Sequence, residues 1–152
     1  KLQGWGQLKN KLDGALDFIS KIHGVVVCNC HSKVQTMDDG NKVIPYIDGS
    51  SKDDISKWFD FVFYTQAVIE DDGLHYKWVT TRSEKYDHAK DRTGLLEPLI
   101  EQDYQLVIDA AREKGFSGAK VLIIGSPGSG KTYSLQTLVN GDRNENTNSK
   151  KK

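Results

Sequence analysis

The residues best suited to chemistry form one glycine-rich run near the end of the 152-residue chain. The run matches the spacing G-x-x-x-x-G-K-[ST] and reads Gly125, Ser126, Pro127, Gly128, Ser129, Gly130, Lys131, Thr132. Its glycines let the backbone curl so that successive N–H groups converge on one anion. The lysine of such a loop reaches the outer phosphates of a nucleoside triphosphate, and the threonine hydroxyl ligates Mg²⁺. The run therefore predicts a site for ATP or GTP, with Thr132 as the metal ligand.

The elements predicted around this loop are those that it needs. An apolar run at residues 119–124 predicts a buried strand before the loop, and residues 132–139 predict the start of a helix after it. The apolar run at 25–30 is continuous rather than alternating, which is typical of a parallel strand covered on both faces. With helices predicted at 7–22 and 101–114, the chain is expected to be an α/β protein with a mostly parallel sheet flanked by helices.

The remaining segments predict a hairpin, a loop and a tail. Residues 59–70 and 74–82 predict two strands joined at a tight turn, a β-hairpin extension of the sheet, after a short helix at 51–57. The polar residues 32–52 predict a mobile loop, and residues 83–100 predict irregular structure. Residues 140–152 contain no apolar side chain and predict a disordered tail, which leaves residues 1–139 for a nucleotide-binding domain.

Composition excludes several classes of protein. Hydrophobic residues at 37% and charged residues at 28% are typical of a globular chain and not of a disordered or coiled-coil one. Basic and acidic residues number 21 each, so net charge favours neither nucleic acid nor a membrane as a partner. The apolar runs are too short to cross a bilayer, and no secretory signal is visible. Cys28 and Cys30 are expected to be buried thiols in a reducing cytoplasm.

Hydrolysis needs groups that the loop does not supply. An acidic residue at the end of a second strand has to hold Mg²⁺, and another group has to orient the attacking water. The 20 residues after Thr132 are mostly polar and contain no strand that ends in Asp or Glu. Upstream, neither Asp48 nor Asp60 ends a run of four apolar residues. Within this chain the hydrolytic machinery is therefore expected to be incomplete.

Three upstream stretches carry a resemblance to a known family. They are Trp5-Gly6 with the helix at 7–22, the strand at 25–31 that ends in His31, and Ala89-Lys90-Asp91-Arg92-Thr93-Gly94. Over residues 1–110 they resemble the second half of a phage-type RecA-like P-loop ATPase domain, related to recombination ATPases and hexameric replicative helicases. The resemblance implies that His31 faces the terminal phosphate of ATP. It also implies that Lys90 and Arg92 reach into the nucleotide site of a neighbouring subunit.

The resemblance has consequences for partners and for domain organisation. It implies an ATPase of phage recombination or replication that uses ATP and Mg²⁺, forms a homo-oligomer, acts on single-stranded DNA and works in the host cytoplasm.

The order of motifs departs from the family, because the strand that ends in His31 and the basic pair precede the phosphate loop. A single rearranged fold is favoured, since the strand at 119–124 could pair beside that at 25–30. The alternatives are a junction of two tandem ATPase domains, a partial reading frame completed by another polypeptide, and a module that binds nucleotide without hydrolysing it.

Overall fold

The computed structural model describes residues 2–139, so the tail predicted at 140–152 lies outside the described residues. The α-helices are α1 (Leu2–Ser20), α2 (Ser51–Asp54), α3 (Tyr104–Glu113) and α4 (Gln136–Val139). Single 3-10 turns are formed by Ile55–Trp58 and Tyr133–Leu135. The strands are β1 (Val25–Met37), β2 (Gly40–Pro45), β3 (Phe61–Glu70), β4 (Gly73–Val79), β5 (Lys90–Asp91), β6 (Leu99–Glu101) and β7 (Ala119–Gly125).

One mixed sheet contains all of these strands, in the order β2-β1-β7-β3-β4-β6, with β5 on β3. Strand β7 lies at its centre and runs parallel to both neighbours, with Val25 opposite Ala119 in β1 and Phe61 opposite Val121 in β3. The outer pairs are antiparallel. The predicted fold class is confirmed: an α/β protein with a parallel sheet centre flanked by helices. The strands predicted at 25–30 and 119–124 are adjacent and parallel.

Alternation along the parallel strands divides the core between the two faces of the sheet. Val62, Tyr64, Leu122 and Ile124 pack on the α1 face with Leu16, Ile55, Phe59 and Tyr86. Phe61, Phe63, Val121 and Ile123 pack on the other face with Trp78 and with the α3 residues Tyr104, Val107 and Ala111. Every residue of β7 is buried, which explains why its sequence is continuously apolar apart from Lys120 and its terminal glycine.

Two strands continue past the end of β7. His31 of β1 lies opposite Gly125, yet β1 runs on to Met37 and turns into β2. Tyr64 of β3 lies opposite Ile124, and β3 runs on to Glu70 and turns into β4. The segment that follows β7 therefore starts between two hairpins at the carboxyl end of the parallel strands.

Some local predictions were wrong. The segment at 32–52 is no mobile loop, because most of it forms the β1–β2 hairpin and the start of α2. Helix α1 spans Leu2–Ser20 instead of 7–22. The stretch at 83–100 is irregular as predicted, apart from the two-residue strand β5 and the start of β6. The stretch at 132–139 begins with a 3-10 turn and becomes α-helical only at Gln136. The hairpin of β3 and β4 and the short helix near residue 51 are confirmed.

No helix within residues 2–139 is long and apolar enough to span a membrane.

Candidate nucleotide-binding site

The glycine-rich loop begins where β7 ends, at the carboxyl edge of the parallel strands. Gly125 lies so close to β3 that a Cβ atom there would overlap the Thr65 hydroxyl and the side chain of Ser129. The Ser129 hydroxyl donates to the carbonyl oxygen of Ser126 at 2.7 Å, which closes the loop on itself. Gly125 is therefore required because β3 and the loop pack against the same backbone atom.

Two further glycines give the loop its curl. Gly128 and Gly130 have φ of 76° and 86°, in the left-handed region that other residues rarely adopt. A Cβ atom at Gly130 would lie 2.6 Å from Oε1 of Gln102, whereas one at Gly128 would meet no atom within 4 Å. Gln102 also donates from Nε2 to the Ser129 carbonyl oxygen at 2.9 Å. This side chain therefore fixes the loop from outside.

Lys131 is folded back into the loop, and its side chain is buried. Its Nζ donates to the carbonyl oxygens of Gly125 at 2.8 Å and Ser126 at 2.7 Å. No carboxylate among the described residues forms an ion pair with it. Burial lowers the pKa of Lys131, as expected for an ammonium group that has lost water without gaining a counter-charge. A bound anion would supply that charge.

The loop also presents main-chain donors. Within residues 2–139, the N–H groups of Gly128, Gly130, Lys131 and Thr132 donate to no protein acceptor. Converging amides of this kind form a concave anion site. Unpaired amides beside a buried ammonium group fit a polyphosphate, and the exposed Thr132 offers a hydroxyl to a metal ion.

His31 lies in the same site. A cavity of about 430 Å³ is lined by His31, Pro127, Gly128, Gly130, Lys131, Thr132 and Tyr133. The cause is the parallel register, since His31 lies opposite Gly125 where the loop begins. The structure thus brings His31 together with Lys131 and Thr132, which lie about one hundred positions later in the sequence.

No Asp or Glu of the described chain lines this cavity. Glu101 and Asp103 line a neighbouring cavity of about 500 Å³. Glu101 pairs with Lys77 at 3.0 Å, and Asp103 caps α3 by accepting from the N–H of Gln105. The described residues of this cavity therefore supply no acidic group of the kind that hydrolysis needs.

The sequence did not predict which residues support the loop from other elements. Gln102 lies 27 positions before Ser129, and nothing in the spacing links the two. After the loop, the Thr137 hydroxyl accepts from the N–H of Tyr104 at 2.9 Å, which attaches the segment to the start of α3. The only sequence signal was indirect: a polar Gln-Asp pair before an amphipathic helix marks a helix start.

Lys90 and Arg92 lie elsewhere. Arg92 donates from Nη1 to Asp60 at 2.6 Å, and Lys90 donates from Nζ to the Phe59 carbonyl oxygen at 2.8 Å. Both line a cavity with Lys120, at the amino ends of the parallel strands and therefore opposite to the loop. They do not contact the phosphate loop of their own chain, and their action on a neighbouring subunit stays a prediction.

Comparisons with known proteins give one match. Searches of curated proteins and of solved structures found none. A family model described as an AAA domain matches residues 1–93, which include the strands β1 to β5 and the residues His31, Lys90 and Arg92. The match ends before the phosphate loop, so the loop and the family match are separate observations that meet in one sheet. Because the model covers more than half of the sequence, the chain belongs to the AAA domain family, whose members are P-loop ATPase-like.

Proposed function

We propose that this protein binds ATP with Mg²⁺ at residues 125–132. The observation that supports the proposal best is the pairing of unsatisfied main-chain amides with the buried ammonium group of Lys131. An exchange of partners explains binding: Nζ leaves the carbonyl oxygens of Gly125 and Ser126 and turns to the outer phosphates. Family membership favours ATP over GTP.

Each residue of the site has a role in this proposal. The amides of Gly128, Gly130 and Lys131 cradle phosphate oxygens, and the Thr132 hydroxyl ligates Mg²⁺. His31 approaches the terminal phosphate from the middle of β1, where its ring can donate a hydrogen bond. Mg²⁺ neutralises charge on the phosphates when it is bound.

Hydrolysis requires an acidic group from outside the described site. The stretch Val25–Cys30 of β1 pairs with β7 and with no other strand within residues 2–139, while the carbonyl oxygen of His31 accepts from the N–H of Tyr46 at 2.7 Å. This unpaired edge lies next to the loop, and a further strand added there would end beside His31. We propose that hydrolysis occurs when such a strand, from a longer form of the chain or from another polypeptide, carries the acid.

A second candidate is a module that holds ATP without turnover. The observation that favours it is the absence of a carboxylate from the cavity of His31 and Lys131 in the described chain. Such a module would serve as a nucleotide-dependent assembly element. It differs from the first candidate only in the chemical step.

The wider setting is proposed from the resemblance alone. It suggests a phage ATPase of DNA recombination or replication that forms homo-oligomers on single-stranded DNA in the host cytoplasm. In such an oligomer, Lys90 and Arg92 would complete a neighbour's nucleotide site, where the guanidinium fork suits a phosphoryl group. The Arg92 side chain is 60% exposed, so it is accessible to a neighbour.

Calorimetric titration with Mg-ATP tests the site. We expect a single binding event in the wild-type chain and its loss in Lys131→Ala. Lys11→Ala, on the exposed side of α1, removes the same charge far from the loop and should bind like the wild type. No heat with the folded wild-type protein at millimolar Mg-ATP would reject the proposal.

Phosphate release under the same conditions separates the two candidates. Magnesium-dependent turnover that disappears in Lys131→Ala would support the ATPase. Tight binding without turnover would support the non-hydrolysing module.

A further inference from the structure

A second, larger cavity lies at the opposite end of the sheet. It measures about 650 Å³ and forms where β1, β3 and β7 begin, bounded by the end of α1, the 3-10 turn at Ile55–Trp58 and the segment after α3. The length of β7 separates it from the phosphate loop. Its charged lining is Lys21, Lys57, Asp60, Lys90, Arg92 and Lys120.

The lining combines five cationic side chains with one carboxylate. Both oxygens of Asp60 are engaged: Oδ1 accepts from Arg92 Nη1 at 2.6 Å and Oδ2 from the main-chain N–H of Lys120 at 2.9 Å. Asp60 therefore neutralises one cation at most. In the described part of the chain, Lys57, Lys90 and Lys120 have no carboxylate within ion-pair distance, whereas Lys21 pairs at the rim with the exposed Asp17 at 2.7 Å.

Two lysines of the cavity, the buried Lys120 and the half-buried Lys90, donate to neutral acceptors. Lys90 Nζ donates to the carbonyl oxygens of Phe59 and Ser56, and Lys120 Nζ donates to that of Gly24 at 3.2 Å. Burial lowers the pKa of Lys90, and the opposing charge of Asp60 does not cancel that effect. Excess positive charge in a concave, partly desolvated site attracts an anion strongly.

Flat apolar surfaces lie beside these charges. The Lys57 ammonium group lies 5.3 Å from the centroid of the Trp58 ring, and the Arg92 guanidinium group lies 4.9 Å from that of Phe116. Trp58 and Phe116 are each half-buried and line the cavity. Aromatic rings next to the unpaired Lys57 and the Asp60-bound Arg92 suit a ligand that joins a phosphate to a planar base.

We propose that this cavity is a second site, for a nucleotide phosphate with its base, in which Lys21 and Lys57 hold the phosphate from the rim and Lys90 and Lys120 from below. The base lies against the Trp58 or Phe116 ring. The ligand is either a free nucleotide or one unit of a single-stranded nucleic acid, since both present the same chemistry. The site is independent of residues 125–132 and does not rest on the function proposed for them.

Fluorescence anisotropy in the Lys131→Ala background tests this site without interference from the loop. The probes are a labelled twelve-residue oligothymidylate, the same oligomer without bases, and labelled AMP. The site variant is Lys21→Gln/Lys57→Gln, and the matched control is Lys11→Gln/Lys52→Gln, which removes two charges outside the cavity. All four side chains lie at least partly in solvent, so circular dichroism should show equal folding.

We expect binding in the Lys131→Ala background, weakened on the order of tenfold by the site variant and less than twofold by the control. The salt slope for the oligomer should fall by about 1.4, because each lost contact to a single strand contributes about 0.7. If the oligomer without bases binds more weakly than the oligothymidylate, the bases contribute to binding through contact with Trp58 or Phe116. Tight binding of the oligomer alone identifies nucleic acid as the ligand, and equal binding of AMP identifies a free nucleotide. Absence of binding to every probe, or equal losses in the two double variants, would overturn the proposal.

Discussion

At the scale of single residues, the phosphate loop depends on different properties of its glycines. Gly125 is needed for space, because β3 and Ser129 occupy the volume of a Cβ atom. Gly128 is needed for its backbone angle alone, and Gly130 for both reasons. The sequence motif records that glycine occurs at these positions, whereas the structure shows which physical demand each one meets.

The difference between Gly128 and Gly130 leads to a prediction. A left-handed backbone costs a residue other than glycine roughly 1–2 kcal/mol. Gly128→Ala should lose about that much stability in urea unfolding. Gly130→Ala should lose more, because its methyl group also meets Oε1 of Gln102 at 2.6 Å.

Removal of Gln102 isolates the steric part of this effect. The double variant Gly130→Ala/Gln102→Ala should regain stability relative to Gly130→Ala, although Gln102→Ala alone deletes the hydrogen bond to Ser129. Gly128→Ala/Gln102→Ala should show no such recovery. If the two glycine variants were equally stable, the contact with Gln102 would not matter.

At the scale of elements, sequence patterns succeeded where burial controls the sequence. Residues 119–124 and 25–30 are continuous apolar runs, and both became parallel strands. The β1–β2 hairpin was missed because Ser32–Met37 is largely exposed, so no hydrophobic alternation marks it. Its turn at Asp39-Gly40 has the same residue types as Asp72-Gly73, which was recognised only because apolar strands flank it.

The same reasoning applies to the candidate site. The contiguous loop was predictable, because one stretch of backbone contains all of its donors. His31 was predicted from the family resemblance and reaches the loop through the register of β1 on β7. Gln102 and Thr65 were not predictable, since each reaches the loop by tertiary packing from another element.

Helix α3 connects the stability of an element to the loop. Asp103 caps α3 by accepting from the N–H of Gln105 at 2.9 Å. The N–H of Tyr104, the first residue of α3, donates to the Thr137 hydroxyl. Asp103→Ala should lower the free energy of unfolding by about 1 kcal/mol. It should also weaken Mg-ATP binding, because Gln102 and Thr137 both depend on the start of α3.

A second carboxylate of α3 provides the control. Asp109 is exposed in the middle of the helix and forms no ion pair within the described residues. Asp109→Ala should leave urea unfolding and calorimetric affinity within about 0.5 kcal/mol of the wild type. Equal effects of the two substitutions would mean that the cap does not position the loop.

At the scale of the whole molecule, the segment that the family model matches and the strand before the phosphate loop belong to one sheet. Residues 1–93 contribute β1 and β3, which both pair with β7 and do not pair with each other. Four residues of β7 are at most 2% exposed. Leu122 and Ile124 belong to the core on the α1 face, and Val121 and Ile123 belong to the core on the other face. The late strand is therefore the centre of the fold that the early segment begins.

This arrangement predicts that the segment matched by the family model does not fold alone. Without β7, the neighbouring edges of β1 and β3 lose their partner, and each core loses two fully buried aliphatic side chains, which cost about 2–5 kcal/mol apiece when truncated. That sum approaches the whole stability of an ordinary domain. Residues 1–93 should show no cooperative thermal transition, whereas the full chain should melt cooperatively. A cooperative transition in the shorter piece would mean that β1 and β3 form a sheet without the strand of the phosphate loop, and that the loop belongs to a separate unit.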